Sequence, residues 1–218
     1  MMFRDRDEAA RLLARALKAY RGQKPLVVAI PRGAVPIAKI IADELEGELD
    51  IVMTRKLHAP GNPEFAIGAV DENGWTYLAD YAEQTGATRD YVAREVAAER
   101  ETMRRRRAQY TLGRAPIDAA GRVVIVVDDG LATGATMIAA LHSMRARAPQ
   151  CVICAVPVAS PEALDKVRPH ADDLVCLETP ECFRAVSQFY RQFLQVDDEE
   201  VIELLNTPST QRREKDTV

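Results

Sequence analysis

The sequence predicts an α/β fold in which a parallel sheet is covered by helices on both faces. Segments with strand character alternate with helix-like segments along most of the 218 residues, which is typical of parallel sheets. The run 123–127 consists of five β-branched residues and has no polar face, so it predicts a strand buried on both sides. Ligands of such sheets bind beyond the carboxyl ends of the strands, and we expect the functional residues there.

Hydrophobic spacing defines the individual elements. Apolar residues at helical spacing predict an amphipathic first helix, and a long helix follows from apolar positions along one side of 88–110. The predicted strands are 26–30, 49–54, 65–70, 75–78, 123–127, 151–156 and 173–177. The predicted helices are 5–21, 35–45, 88–110, about 137–147, a segment after Pro161, and 198–205. An Asp-Glu-Asn-Gly turn makes 65–70 and 75–78 a hairpin, whereas 57–63 is predicted as a loop.

The chain is interpreted as one domain spanning residues 1–218. No internal repeat or low-complexity linker divides it. The core covers about 20–180, residues 181–206 are expected to form a helical hood or cap, and 207–218 a frayed, flexible tail. This organisation places small additions at both ends of a single α/β core.

Composition limits the classes of partner. The chain is 47% hydrophobic and 28% charged with a net charge of −4, so it has no general attraction to nucleic acid or anionic lipid, although 104–107 is a compact run of four arginines. No apolar run approaches the roughly 20 residues of a membrane span, and the polar amino terminus is unlike a targeting segment. We therefore expect a cytoplasmic protein with neither a membrane nor a nucleic-acid partner.

The four cysteines are expected to be reduced thiols. Cys151 and Cys154 form a Cys-x-x-Cys, but within a predicted strand, where residues three apart point to opposite faces. A shared metal or disulfide is the less favoured interpretation.

The segment 128–136 predicts a sugar-phosphate site. Asp128 and Asp129 follow the strand 123–127, and a loop with Gly130 and Gly134 leads into a helix. Such a junction directs backbone N–H groups and the positive end of a helix at one spot, which suits a phosphate, while the carboxylates suit sugar hydroxyls. The expected phosphate-binding residues are Gly130, Ala132, Thr133, Gly134, Ala135 and Thr136. Neither a P-loop nor a Gly-x-Gly-x-x-Gly motif is present.

Residues 123–136 resemble the phosphoribosyl-pyrophosphate (PRPP) signature of type I phosphoribosyltransferases, a hydrophobic strand, two acidic residues and Gly-x-x-Thr-Gly-x-Thr. The resemblance covers about 20–180, and within the family the chain is similar to a poorly characterised bacterial subgroup. It implies a Rossmann-like core and Mg²⁺ as cofactor. It also implies that Asp128 and Asp129 are the catalytic residues, binding ribose hydroxyls or the metal, directly or through water.

The same resemblance assigns a pyrophosphate site. In the family, the loop corresponding to Pro31, Arg32 and Gly33 binds pyrophosphate, often with a non-proline cis peptide. Family members also carry a basic pair before a mobile loop, here Arg55 and Lys56, which we expect to bind the same leaving group.

The segment after the basic pair is implied to be a flexible loop that closes over PRPP and excludes water. His58 is a candidate proton donor or phosphate contact, or else an exposed histidine; Asn62 belongs to the same loop. Glu64 is a candidate metal ligand or base contact. Phe183, after the last core strand, is the candidate to stack on the acceptor base.

The implied reaction is transfer of ribose 5-phosphate from PRPP to a nitrogen nucleophile, a nucleobase or related amine, with release of pyrophosphate. Two alternatives remain open: a regulator that senses PRPP or a nucleotide without catalysis, and phosphatase- or phosphorylase-type chemistry on the same fold. A homodimer is a further expectation.

Overall fold

A five-stranded parallel sheet lies at the centre of the computed structural model, which describes residues 2–207. The strands, numbered in chain order, are β1 (Leu26–Ala29), β2 (Glu48–Ile51), β3 (Thr54–Ala59), β4 (Asn62–Asp71), β5 (Thr76–Leu78), β6 (Val123–Val127), β7 (Cys151–Val158) and β8 (Asp173–Glu178). The central sheet has the order β2-β1-β6-β7-β8, and each neighbouring pair is parallel. The predicted fold class is confirmed.

Six α-helices are found in the part of the chain that the structure describes. They are α1 (Arg6–Ala16), α2 (Ala34–Leu45), α3 (Arg89–Tyr110), α4 (Ala135–Arg145), α5 (Pro161–Val167) and α6 (Asp198–Asn206). Side-chain caps explain several starts: Asp5 accepts from the Glu8 N–H, and Ser160 accepts from the Ala163 N–H. Each predicted helix is therefore present, with bounds that differ by a few residues.

The central sheet is buried on both faces, as the apolar run in β6 predicts. Val123, Ile125 and Val127 pack into one core with α1 and α2, while Val124 and Val126 pack into a second core with α4 and α5. Successive strand residues point to opposite faces, so only a continuous apolar run can serve both cores. The sheet therefore exposes its strand ends, and ligands can approach it there.

The expected loop over 57–63 is wrong, because these residues form the turn end of a β-hairpin: the last three residues of β3, a two-residue turn and the first two residues of β4. β3, β4 and β5 make a separate antiparallel sheet, and only Pro60 and Gly61 connect β3 to β4. Pro63 is tolerated because the pairing jumps from Ala59↔Asn62 to His58↔Ala66, so its missing N–H falls in an irregular, exposed stretch. Gly61 has φ +73° at the turn.

The two terminal segments pack together beside the carboxyl ends of the strands. The Phe3 N–H donates to the Phe189 carbonyl at 2.8 Å, and the Arg191 N–H donates to the Phe3 carbonyl at 2.9 Å. Between β8 and α6 the chain contains one short helical turn, Val186–Phe189, so the segment 181–206 expected to form a hood is helical over about half its length. Its helical part, α6, packs against α2 and α3.

Two remaining expectations concern the ends of the chain and the membrane. The predicted tail 207–218 lies outside the described residues beyond Thr207. Within residues 2–207 no helix is both long enough and apolar enough to cross a bilayer.

Candidate active site

The two predicted anion loops lie side by side because β1 and β6 are neighbours. Ala29 is paired with Val127, and the Ile30 N–H donates to the Val127 carbonyl at 3.1 Å. The chain then turns at Gly33 against Asp129: a Cβ atom built on Gly33 would overlap the Asp129 carboxylate. Gly33 has an ordinary helical φ of −57°, so the absence of a side chain, rather than backbone freedom, is what this position requires.

Asp129 is held by an arginine from the amino terminus. Arg6 Nη2 donates to Asp129 Oδ2 at 3.0 Å, and Arg6 Nη1 donates to the Leu194 carbonyl at 2.6 Å. The guanidinium lies 3.9 Å from the centre of the Phe193 ring, and the two charged side chains are 11% and 18% exposed. Tyr190 donates to the Asp129 carbonyl at 2.7 Å. The position of Asp129 is thus fixed through both its side chain and its backbone.

Asp128 points elsewhere, as expected for adjacent carboxylates. Its Oδ1 accepts from the Asp129 N–H at 2.9 Å. Desolvation and the neighbouring Asp129 raise the pKa of Asp128 well above its usual range, while Lys56 and Arg6 oppose that shift. Desolvation also raises the pKa of Asp129, against the effect of Arg6. The site therefore holds two carboxylates whose charged forms are electrostatically costly, and nearby positive charge would lower that cost.

The loop after the two acids has the geometry of an anion site. Ala132 and Thr133 are exposed, and Gly134 with φ +80° precedes α4. The first bond within the helix runs from the Ile138 N–H to the Gly134 carbonyl at 2.9 Å, so the three preceding amides lie at the free, positive end. A Cβ on Gly134 would press on Val167. The predicted residues Ala135 and Thr136 form the first turn.

Gly130 serves this loop through packing. A Cβ on Gly130 would lie 2.7 Å from Val186 and 3.0 Å from Val158, so there is no room for a side chain. Leu131 is buried and its N–H donates to the Val158 carbonyl at 2.9 Å, which ties the loop to the end of β7. The exposed residues 132–133 are thereby presented on a fixed base.

The loop of Pro31, Arg32 and Gly33 contains a cis peptide bond between Pro31 and Arg32, as the resemblance implies. Arg32 Nη1 lies 3.5 Å from Asp198 Oδ1, and this carboxylate also accepts from the Tyr110 hydroxyl at 2.6 Å. Burial and Asp198 raise the pKa of Tyr110 to about 12. Arg32 is therefore oriented by α3 and α6, with about a third of its side chain exposed.

Only one member of the expected basic pair faces the acids. Arg55 and Lys56 are consecutive residues of β3, not the end of β2 as predicted, and they point to opposite sides of that strand. Lys56 is exposed, and its positive charge lowers the pKa of Asp128. Arg55 instead donates to Glu99 on α3 at 2.8 Å. The structure brings Lys56 towards the site and directs Arg55 away from it.

The three residues of the expected mobile loop lie in the β3–β4 hairpin. His58 is in β3, and its carbonyl accepts from the Tyr91 hydroxyl at 2.9 Å. Asn62 Oδ1 accepts from the Glu64 N–H at 3.2 Å, and both residues are exposed at the start of β4. Within residues 2–207 no hydrogen bond or ion pair joins these side chains to the loops 31–33 and 128–136.

Phe183 belongs to an aromatic cluster of the carboxyl-terminal segment. Its ring lies 5.2 Å from that of Phe189, and it packs with Val186, which contacts Gly130. The half-buried ring is thus beside the loop 128–136 rather than within the cleft described next.

A cleft of about 360 Å³ opens beside Asp129. It is lined by Arg6, Arg32, Gly33, Asp129, Phe193, Leu194, Gln195 and Val196. No site role was predicted for Arg6, Tyr190 or the segment 193–196, although Tyr190 and Phe193 belong to an aromatic cluster that the sequence shows near the carboxyl end. The weak signal available was the unusual density of aromatic residues near the carboxyl end, and Arg6 had none, because its partner is more than a hundred residues away.

The donor set is compatible with Mg²⁺ held partly by substrate. No group of three or more His, Cys, Asp or Glu side chains converges on one point within residues 2–207. Mg²⁺ commonly uses one or two carboxylates together with waters and substrate phosphates, and Asp128 and Asp129 offer that number. The Cys-x-x-Cys lies in β7, where Cys154 is buried and Cys151 is half-buried, and no disulfide joins cysteines of the described residues.

Comparison with known proteins gives a consistent result. Residues 5–194 match the family model described as "Phosphoribosyl transferase domain". The chain is 39% identical over 209 residues to "Putative phosphoribosyl transferase Rv0571c" of Mycobacterium tuberculosis, covering 94% of this chain and 46% of that protein. It is 45% identical to TT1426 of Thermus thermophilus, whose crystal structure superposes with a TM-score of 0.79 over 94% of this chain and 98% of the other. The chain thus spans about half the length of the curated relatives it matches.

Proposed function

The chain belongs to the phosphoribosyl transferase domain family, and from this premise we propose that it transfers ribose 5-phosphate from PRPP to a nitrogen nucleophile, a nucleobase or related amine, and releases pyrophosphate. The observation that carries the proposal is the close approach of Gly33 to Asp129. It brings the loop 31–33 against the Asp129 carboxylate, at the start of the loop 128–136. PRPP has two phosphate-bearing ends joined by a ribose with two free hydroxyls, and this arrangement is complementary to it.

Each part of the substrate has a proposed partner. The 5-phosphate binds the exposed backbone at Thr133 and the first turn of α4, where free amides and a helix amino terminus favour an anion. The ribose hydroxyls donate to Asp128 and Asp129. The pyrophosphate group binds the loop at Arg32, with Lys56 supplying further positive charge.

The residues act mainly by orientation and electrostatics. Cleavage of the bond from the anomeric carbon to pyrophosphate develops positive charge on the sugar, and the attacking nitrogen forms its bond on the opposite face. The desolvated carboxylates of Asp128 and Asp129 stabilise that charge. These two carboxylates would hold Mg²⁺, directly or through water, and the bound metal would offset the charge of the pyrophosphate group.

Arg6 is a positioning residue in this proposal. It fixes the Asp129 carboxylate by a 3.0 Å ion pair, and its other nitrogen is committed to the Leu194 carbonyl. The segment 193–196 therefore borders the cleft beside Arg32. We propose that this segment and Phe183 contribute to the acceptor side, where a ring can stack.

The experiment is a pyrophosphate-release assay with Mg²⁺, PRPP and a panel of purine and pyrimidine bases. Asp128→Asn/Asp129→Asn should lower kcat/KM by at least about a hundredfold. The matched control is Asp80→Asn/Asp90→Asn, which removes two exposed carboxylates, one after β5 and one in the first turn of α3, and should change kcat/KM less than about twofold. Equal rates for wild type and the double variant would refute the proposal. PRPP binding without turnover of any base would instead favour the sensing regulator.

A further inference from the structure

A second cleft, lined by arginines, lies away from the candidate active site. Its volume is about 790 Å³, within the range of small-molecule sites. Its wall includes Ser143 and Arg147, at and just beyond the carboxyl-terminal end of α4, whereas the phosphate loop precedes that helix. The 11 residues of α4 separate the two regions by about 15 Å.

Five guanidinium groups converge on this cleft from three parts of the chain: Arg100, Arg104 and Arg107 from α3, Arg114 from the segment after it, and Arg147. Convergence across elements distinguishes the cluster from an ordinary solvated helix face. The carboxylates in the wall are Glu72 and Glu101.

Part of this charge is neutralised internally. Arg107 pairs with Glu72 at 3.1 Å and lies 3.5 Å from the buried Asp50, while Arg114 lies 3.7 Å from Asp50. Arg104 pairs with Glu101 at 2.8 Å. The five arginines face three carboxylates, the two in the wall and the buried Asp50, which leaves an excess of two positive charges. A dianion would balance that excess.

The remaining two arginines have no carboxylate at ion-pair distance within residues 2–207. Arg147 donates to the Ile117 carbonyl, which leaves other N–H groups for a ligand. Arg100 makes no side-chain hydrogen bond within the described chain and lies over Gly74, where a Cβ would come within 3.2 Å of its Cδ and Nε. Gly74 thus allows Arg100 to lie flat against the hairpin turn. Arg147 Nη1 also lies 4.0 Å from Met144 Sδ, so Arg147 can offer its remaining N–H groups to phosphate, whereas the whole guanidinium of Arg100 is available for a bidentate contact.

The uncharged part of the wall indicates the rest of the ligand. Ala97, Ala108, Ala115 and Pro116 supply an apolar surface beside the arginines. We propose that this cleft binds a phosphorylated small molecule of nucleotide size, with at least two phosphate charges on Arg100 and Arg147 and its ring or sugar against the alanines and proline. A nucleic acid is the less favoured ligand, since the charges lie within one concavity and the chain has a net charge of −4.

The test is a calorimetric titration of the full chain with adenosine 5′-diphosphate and guanosine 5′-diphosphate at physiological ionic strength. Arg100→Ala should weaken binding by at least about tenfold, because a charge-assisted contact is lost, and Arg147→Ala should do the same. Arg94→Ala removes an exposed arginine from the same helix outside the cleft and should change affinity less than about twofold. Arg32→Ala, in the candidate active site, should leave this binding unchanged.

Three results would overturn the proposal. The first is wild-type affinity in Arg100→Ala. Arg100 is exposed, so this variant should keep the thermal midpoint of the wild type, and its affinity then reports on binding rather than on folding. The second is loss of nucleotide binding in Arg32→Ala, which would place the ligand in the candidate active site. The third is tighter binding of a short single-stranded RNA that Arg94→Ala weakens as much as Arg100→Ala, which would indicate a nucleic-acid surface.

Discussion

Replacing Gly33 with alanine tests directly whether the two anion loops are built around the Asp129 carboxylate. The backbone at Gly33 is helical, with φ −57° and ψ −29°, so alanine fits it without strain. Gly→Ala at such a position stabilises by about 0.4–1 kcal/mol through the unfolded chain. The new methyl group would nevertheless overlap Asp129 Oδ2 and come within 3.1 Å of Arg6 Nη2. The carboxylate must therefore move, which breaks its 3.0 Å bond to Arg6.

The two effects have opposite signs, and the second is larger. Both partners of the ion pair are mostly buried, at 11% and 18% exposed, so loss of the charge-assisted bond costs about 1.5–3 kcal/mol. The net expectation is that Gly33→Ala destabilises by about 1–2 kcal/mol. In an Asp129→Ala background the obstacle is gone, and the same replacement should stabilise by about 0.4–1 kcal/mol.

The assay is urea unfolding of the wild type, both single variants and the double variant. The double-mutant cycle should give a coupling energy of about 1.5–3 kcal/mol between positions 33 and 129. Additive effects, within about 0.5 kcal/mol, would refute the inference that Gly33 is required for close approach to Asp129. The cycle measures stability alone, so its outcome is independent of which substrate the protein uses.

Three further predictions concern the same region. Gly134 and Gly86 have nearly the same positive φ, +80° and +82°, but a Cβ would meet Val167 at Gly134 and open space at Gly86. Gly134→Ala should therefore lower the free energy of unfolding by about 1–3 kcal/mol more than Gly86→Ala does. Equal losses in thermal unfolding would show that only the backbone angle matters. Lys56→Ala should raise the apparent PRPP KM by roughly tenfold, whereas Arg55→Ala, which loses a 2.8 Å pair with Glu99, should leave it nearly unchanged; the reverse order would contradict the assignment of Lys56. Desolvation raises the pKa of Asp128 in the folded protein above the ordinary 3.8, so the contribution of this group to stability is complete below about pH 4 and is lost as the pH rises through its folded pKa. The stability of wild type relative to Asp128→Asn should therefore fall as the pH rises above about 4, and a constant difference would argue against the shift.

The central sheet could be predicted because its signals are local. A continuous apolar run such as β6 identifies a buried parallel strand without any partner, and the glycines and acids that follow it mark the turn. The hairpin of β3 and β4 was missed because Pro60 and Pro63 are strong loop signals. Tertiary packing overrides them: Leu57 and Ile67 are buried in the main core, and this burial favours strand pairing on either side of a two-residue turn.

Arg6 and Arg55 show the limit from the opposite direction. Arg6 is part of an ordinary amphipathic helix in the sequence, and only the pairing of Phe3 with the segment around Tyr190 brings it to Asp129. Arg55 and Lys56 follow the predicted strand 49–54, but in the structure they are consecutive residues of β3 in the second sheet. Side chains alternate along a strand, so the two cations point to opposite sides. Both errors concern which element is adjacent to which, and neither residue carries a local signal for that.

The electrostatics of the site explain why an anion-binding junction also needs two acids. Asp128 and Asp129 are desolvated, and each has a raised pKa, so their combined negative charge is unfavourable and Arg6 only partly offsets it. A ligand with phosphates alone would bind the loops but leave this cost in place. A ligand whose hydroxyl groups donate hydrogen bonds to the carboxylates, and which then develops positive charge beside them as a bond breaks, removes the cost progressively. Under the proposed function, the site is thus better matched to a reacting sugar phosphate than to a bound phosphate.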